Sequence, residues 1–149
     1  LYANLLNCDG NPNSSYYQAL SVQERKYLLD KGITYLSVER DTRGYSRKYG
    51  WVHAFAHGAD LLTEVACHPD FPSSRMPEVL EVIHQVFKRV PVRFRNDEDW
   101  RLAQVFYQAV LKKKLSQHEL RLWLQSQSFP LECNKDYLAF SSGACAPSG

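Results

Sequence analysis

Residues 51–67, WVHAFAHGADLLTEVAC, decide how the chain is read. Placed at 100° per residue, Val52, Phe55, Ala59, Leu62 and Ala66 form one apolar row. Trp51, Ala54, Gly58, Leu61 and Val65 form a second row beside it. Together they cover about half of the helix circumference or more, wider than a surface helix needs. A helix over Trp51–His68, closed by Pro69, is therefore expected, with at least two packing neighbours. One narrow polar row is left over: His53, His57, Asp60 and Glu64, at spacings of four, three and four residues.

Working outward, Ser21 and Glu24 form an S-x-x-E capping box that opens a helix to about Arg40, with Leu29, Ile33 and Leu36 as its stripe. Gly32 lies inside that helix and weakens it by about 1 kcal/mol relative to Ala. Pro77 opens a helix to about Val90 that buries Val79, Val82, Ile83, Val86 and Val90. Asp97 is a suitable N-cap for a helix over Glu98–Lys114, which buries Leu102, Val105, Phe106, Ala109 and Val110. Ser116 and Glu119 form a second capping box for a last helix to about Gln127, with Leu120, Trp123 and Leu124 on its apolar face. Leu1–Leu6 reads as the end of another helix, Asn7–Ser15 as a loop and residues 141–149 as a loose tail. Period-two alternation is nowhere convincing.

The fold class expected is all-α, as one domain over residues 1–149. Helix starts near 21, 51, 77 and 98 pair into two helical hairpins, with corresponding starts 56 and 47 residues apart. The second spacing falls at the roughly 40–47-residue period of HEAT and armadillo pairs, and the first is too long. The expectation is an irregular HEAT/armadillo-like superhelix, with a compact helical bundle as the alternative. The chain opens on Leu1 rather than Met, as the C-terminal part of a longer protein would.

Composition narrows the function classes. With 44% apolar and 23% charged residues, the chain is not disordered. Eighteen basic against sixteen acidic residues is too balanced for a nucleic-acid coat, although Arg40, Arg43, Arg47 and Lys48, and Lys112–Lys114, make local basic runs. No apolar run reaches the roughly 20 residues of a membrane span. The four cysteines, Cys8, Cys67, Cys133 and Cys145, include no C-x-x-C pair, which argues against zinc or redox chemistry. Free thiols and a cytoplasmic location are expected, with Cys67 as a small buried hydrophobe.

The polar row admits three readings. His53 and His57, at i and i+4, could share a metal ion. Asp60 lies about 10 Å from His53 along the axis and could not easily join them, so a third ligand would come from another helix, such as Glu98 or Asp99. There is no H-E-x-x-H. Alternatively, His57 oriented by Asp60 at i+3 could perform acid–base chemistry. The third reading is a polar network tying the helix to its neighbours, with Arg43 or Arg101 supplying the cation. No phosphate loop, dinucleotide fingerprint or nucleophile elbow is present.

The run E-x-D-x-R-G (Glu39, Asp41, Arg43, Gly44) followed by G-W-x-H-x-x-A-H-x-x-D-L-L (Trp51, His53, His57, Asp60) resembles an uncharacterised bacterial family, the domain of unknown function of the 2785 type. Glu98–Ala103 resembles a later acidic–Arg–Leu–Ala segment of that family. The resemblance implies a helical fold and no established activity. It groups Arg43, Trp51, His53, His57, Asp60, Glu98, Asp99 and Arg101 as one candidate groove, in which Glu98 and Asp99 would meet the histidines or Arg43.

The expectation is thus a non-enzymatic helical-repeat binding or scaffold module with a His/Asp-lined groove. Its partner would be a protein or peptide, or a small molecule; nucleic acid and membrane are disfavoured and no cofactor is implied. The alternative is a metal-dependent or acid–base enzyme using His53, His57 and Asp60. The 13% aromatic content sharpens the location. Tyr35, Phe55, Phe87 and Phe106 fall on buried stripes, but Tyr45, Tyr49, Trp51 and Trp100 gather near the candidate residues.

Overall fold

Both capping boxes form. Ser21 Oγ accepts the Glu24 N–H and Glu24 returns a bond to the Ser21 N–H. Ser116 and Glu119 do the same. The computed structural model describes residues 1–90, 94 and 96–127. The helices are α1 (Tyr2–Gly10), α2 (Val22–Val38), α3 (Ala54–Cys67), α4 (Met76–Arg89), α5 (Glu98–Leu111) and α6 (Gln117–Ser126). A 3-10 turn, Ser73–Arg75, leads into α4. Cys133, Cys145 and the expected tail at 141–149 lie outside the described residues. The fold is all-α, and among the described residues no helix is long and apolar enough to cross a membrane.

Three local differences from the periodicity reading have physical causes. α1 continues to Gly10, through the first half of the expected loop, because Asp9 is drawn into the interior. Trp51 does not start a helix. Tyr45–Ser46 (β1) and Gly50–Trp51 (β2) pair antiparallel, with Tyr45 opposite Trp51. Gly50 takes φ +72° in the turn, and Val52 N–H bonds the Gly44 carbonyl, so α3 begins only at Ala54. Aromatic and β-branched residues suit a strand as well as a helix face. Finally, Asp97 sits at φ 65° and makes no side-chain cap. The Asn96 N–H before it is instead taken by the Glu98 carboxylate at 2.9 Å.

The helices stack in two rows. Arg75 reaches Asp30 and Arg89 reaches the Leu36 carbonyl, so α2 and α4 run in the same direction. Arg101 meets Asp60, while Cys67 and Lys112 share one surface further along, so α3 and α5 are also parallel. α1 flanks the other side of α3, with Asn7 bonded to Glu64. Phe55, Ala59, Leu62 and Ala66, the first apolar row of α3, are almost fully buried with Leu36, Val79, Ile83, Val86, Leu102 and Val105. Phe87, expected inside, is 38% exposed.

The hairpin α2–α3 closes through two glycines. A Cβ on Gly32 would stand 2.4 Å from Val65 Cγ2. One on Gly58 would stand 2.4 Å from Leu36 Cδ2 and 2.9 Å from Leu36 Cγ. Leu36 is fully buried and has no room to swing aside. Gly58→Ala gains about 1 kcal/mol of helix propensity but overpacks the contact, at about 1–3 kcal/mol. A net loss of about 1 kcal/mol is expected by urea unfolding, and an unchanged or higher midpoint would contradict the close approach.

α2 carries no basic residue in its last turn. Arg89, the final residue of α4, reaches across to donate to the carbonyls of Leu36, Ser37 and Glu39. Arg89 from the neighbouring hairpin thus closes the C-terminus of α2 together with Arg40, which also donates to the Ser37 and Glu39 carbonyls.

Candidate functional site

Positions 57, 60, 64 and 67 of α3 point to one side. α3 lies between α1 and α5, and that side is the floor of a groove of about 930 Å³. Asn4 and Asn7 of α1 line one wall, and Gln104, Gln108 and the following Lys112 line the other. The helical part of the polar row therefore faces a cleft and not bulk solvent alone.

Within it, Arg101 Nη1 holds Asp60 Oδ2 at 2.6 Å, both side chains being 39% exposed. His57 Nδ1 is 3.9 Å from the same oxygen, too far for a hydrogen bond, and its ring is 70% exposed. The cation supplied by α5 has taken the carboxylate that sequence spacing assigns to His57. Glu64 accepts a 2.9 Å bond from Asn7 Nδ2. The carboxamides of Asn4, Gln104 and Gln108 have no partner among the described residues. Cys8 and Cys67 are free thiols and only partly buried. Burial, helped by the Glu64 charge, pushes the Cys67 thiol from 9.0 to about 11.

At one end the groove meets a run of rings. The β1–β2 register sets Tyr45 against Trp51, centroids 5.2 Å apart. Trp51 packs edge-on to His53 at 4.6 Å, and His53 lies 6.3 Å from His57. His53 is not on the helix row; it precedes α3 at φ 46°, and its Nε2 is buried without a partner among the described residues. Tyr45, Trp51 and, at the start of α5, Trp100 are each about 60% exposed. Among the described residues, no three His, Cys, Asp or Glu side chains are grouped to hold a metal.

Of the candidate residues, His57 and Asp60 line this groove, Trp51, His53 and Arg101 adjoin them, and Arg43, Glu98 and Asp99 make other contacts. Arg43 is bonded to Asp41, holding that carboxyl at about 2, and stands over the Tyr49 ring at 5.5 Å. Glu98 is 2% exposed; one oxygen accepts the Asn96 N–H and the other has no partner among the described residues. Asp99 accepts the N–H of Trp100. Among the described residues, neither acid bonds to a histidine or to Arg43. Thus Trp51, His53, His57, Asp60 and Arg101 come together; the Arg43 carbonyl accepts the His53 N–H, but among the described residues the side chains of Arg43, Glu98 and Asp99 bond to none of them.

A second polar cluster has no counterpart in the sequence reading. Asp9 is 1% exposed and accepts from Arg25 Nε at 2.6 Å, from the Leu20 N–H at 2.8 Å and from His68 Nε2 at 3.3 Å. Arg25 also reaches Asp70 and the Leu20 carbonyl. The only sequence signals were polar residues on otherwise unremarkable segments, 16 and 59 positions apart from Asp9. The cluster ties α1, the start of α2 and the end of α3 together, and its near-complete burial marks it as structural.

The Asp70 N–H donates to His68 Nδ1, so Nε2 carries the proton given to Asp9. Burial pushes the His68 pKa below 6.5 despite the Asp9 carboxylate. Burial raises the Asp9 carboxyl, but its bonds from Arg25, Leu20 and His68 together hold it below 3.8. Both folded values lie below the unfolded ones. Their stabilisation is therefore complete above about pH 6.5 and is lost on acidification, first through His68 and then through Asp9. Thermal midpoints should fall from pH 7 to pH 5, and His68→Gln should flatten that fall; an equal slope in both would refute the assignment.

A family model described as "Protein of unknown function (DUF2785)" matches residues 2–139. The chain belongs to this family. The match takes in α1 to α6, so all three helices that form the groove lie within the family's boundaries. No curated protein matches the chain, and no solved structure does.

Proposed function

We propose that this member of the family is a non-enzymatic cytoplasmic binding module built of HEAT-like hairpins, whose groove over α3 holds an extended peptide segment of a partner protein. The observation that carries this reading is the set of unpartnered carboxamides on both walls, Asn4 on α1 and Gln104 and Gln108 on α5. A carboxamide offers a donor and an acceptor in one plane, the pattern that a peptide group complements. From His57 to Cys67 the floor is about 15 Å long at 1.5 Å per residue, the reach of about four to five extended residues. The stacking of α2 on α4 and α3 on α5 supports the repeat reading.

An acid–base or metal-dependent reaction through His53, His57 and Asp60 has less support. Asp60 is committed to Arg101, His57 is exposed without an orienting bond, and His53 stands before the helix.

The test is an array of immobilised hexapeptides spanning basic, neutral and acidic compositions, probed with the full chain. Wild type should bind a subset, and a Gln104→Ala/Gln108→Ala variant of unchanged thermal midpoint should lose that binding by tenfold or more. Binding of none, or equal binding by the double variant, would overturn the proposal.

A further inference from the structure

We infer that the groove selects a peptide segment carrying a basic residue, whose ammonium or guanidinium group is received by Glu64 at the middle of the floor. This rests on the groove being a peptide site. Three observations lead to it. The two carboxylates of the floor are not equivalent: Asp60 is paired with Arg101, whereas among the described residues Glu64 is bonded by the neutral amide of Asn7 alone. Among the described residues Glu64 thus makes no ion pair, and it stands half-buried on the floor of a cleft, where water screens a charge less than on an open surface.

Second, Glu64 stands one turn from Asp60 on one side and beside Cys67 on the other, so it faces the middle of the groove. An extended segment lying between the amide walls would pass over it. The cation on the wall, Lys112, makes no ion pair with it and stands at the C-cap of α5, where the last carbonyls favour positive charge. Third, His57 at one end of the groove leads into a run of neighbouring rings, His53, Trp51 and Tyr45. The faces of tryptophan and tyrosine attract cations and offer nothing to an acidic side chain. Glu64 on the floor and the rings beyond His57 thus favour the same charge in a ligand.

The probe is a set of hexapeptides, Gly-Ser-Xaa-Ser-Gly-Ser, with Xaa as lysine, arginine, norleucine or glutamate. Each is titrated into the full chain and followed by the NMR signals of the Asn4, Gln104 and Gln108 side-chain amides. The lysine and arginine peptides should bind at least tenfold more tightly than the norleucine peptide, and the glutamate peptide more weakly still. Glu64→Gln should abolish the difference, and Glu64→Lys should transfer the preference to the glutamate peptide. Both variants keep the buried core untouched, and their thermal midpoints confirm the fold.

If all four peptides bind wild type with one affinity, or Glu64→Gln keeps the discrimination, the charge selection is wrong and the peptide groove stands. If none of the peptides shifts the amide signals, and the hexapeptide array is also blank, both fall together.

Discussion

Asp9→Ala is expected to destabilise the domain by about 3–5 kcal/mol, the cost typical of breaking a buried ion pair by removing one partner. Against a usual total of about 5–15 kcal/mol, that is enough to leave a sizeable unfolded fraction. Asp9 is the common acceptor for Arg25, His68 and the Leu20 N–H, so its removal leaves three donors without it in a site closed to water. Arg25 keeps Asp70 and the Leu20 carbonyl, but its 8% exposure denies the released guanidinium edge full hydration. Urea unfolding measures the effect. A loss under about 1 kcal/mol would mean that the cluster is not held shut as described. Replacing Asp9, Arg25 and His68 together by apolar residues of similar volume should cost less than Asp9→Ala alone, because no charge is then stranded.

Arg89→Ala is expected to cost about 3 kcal/mol. Net values for hydrogen bonds to a charged group are about 1.5–3 kcal/mol each, and the arginine serves three carbonyls at the end of α2. Burial opposes its charge and pulls its pKa below the ordinary arginine value, an expense the three acceptors offset. Arg89→Lys should recover less than half of the loss, because an ammonium cannot reproduce the fork of the guanidinium. The readout is again the urea midpoint, with amide exchange across Leu36–Glu39 as a local check. If exchange there is unchanged in Arg89→Ala, the cap is not what holds that end of the helix.

The two effects mark where sequence reading stops. Helix starts at Ser21 and Ser116 were legible because a capping box is a local device, complete within four residues. The buried face of α3 was legible because it repeats at the helical period. The start of α3 was not, since Trp51 and Val52 fit a helix wheel and a strand equally, and the pairing with Tyr45 that decides between them lies across a turn. Asp9, Arg25 and His68 were invisible for a stronger reason. Each is ordinary in its own segment, and their relation exists only when three segments meet.

For the groove, the polar row His57–Asp60–Glu64 was present in the spacing, and so was the possibility that Arg101 supplies its cation. Which partner Asp60 takes was decided by the parallel stacking of α3 and α5. That stacking sets Arg101 at 2.6 Å and leaves His57 at 3.9 Å. The same stacking brings Asn4 and Asn7 from one side, and Gln104 and Gln108 from the other, to an otherwise unremarkable row.

By itself the sequence determined the all-α class, the two capping boxes at Ser21 and Ser116 and the buried row of α3, because those depend on interactions within a few residues. Only the tertiary structure decided which charges pair, which stay free and where the cleft lies. Those outcomes depend on distances between helices, and in this chain the distances are set by contacts as distant in sequence as Gly58 against Leu36 and Asp9 against His68.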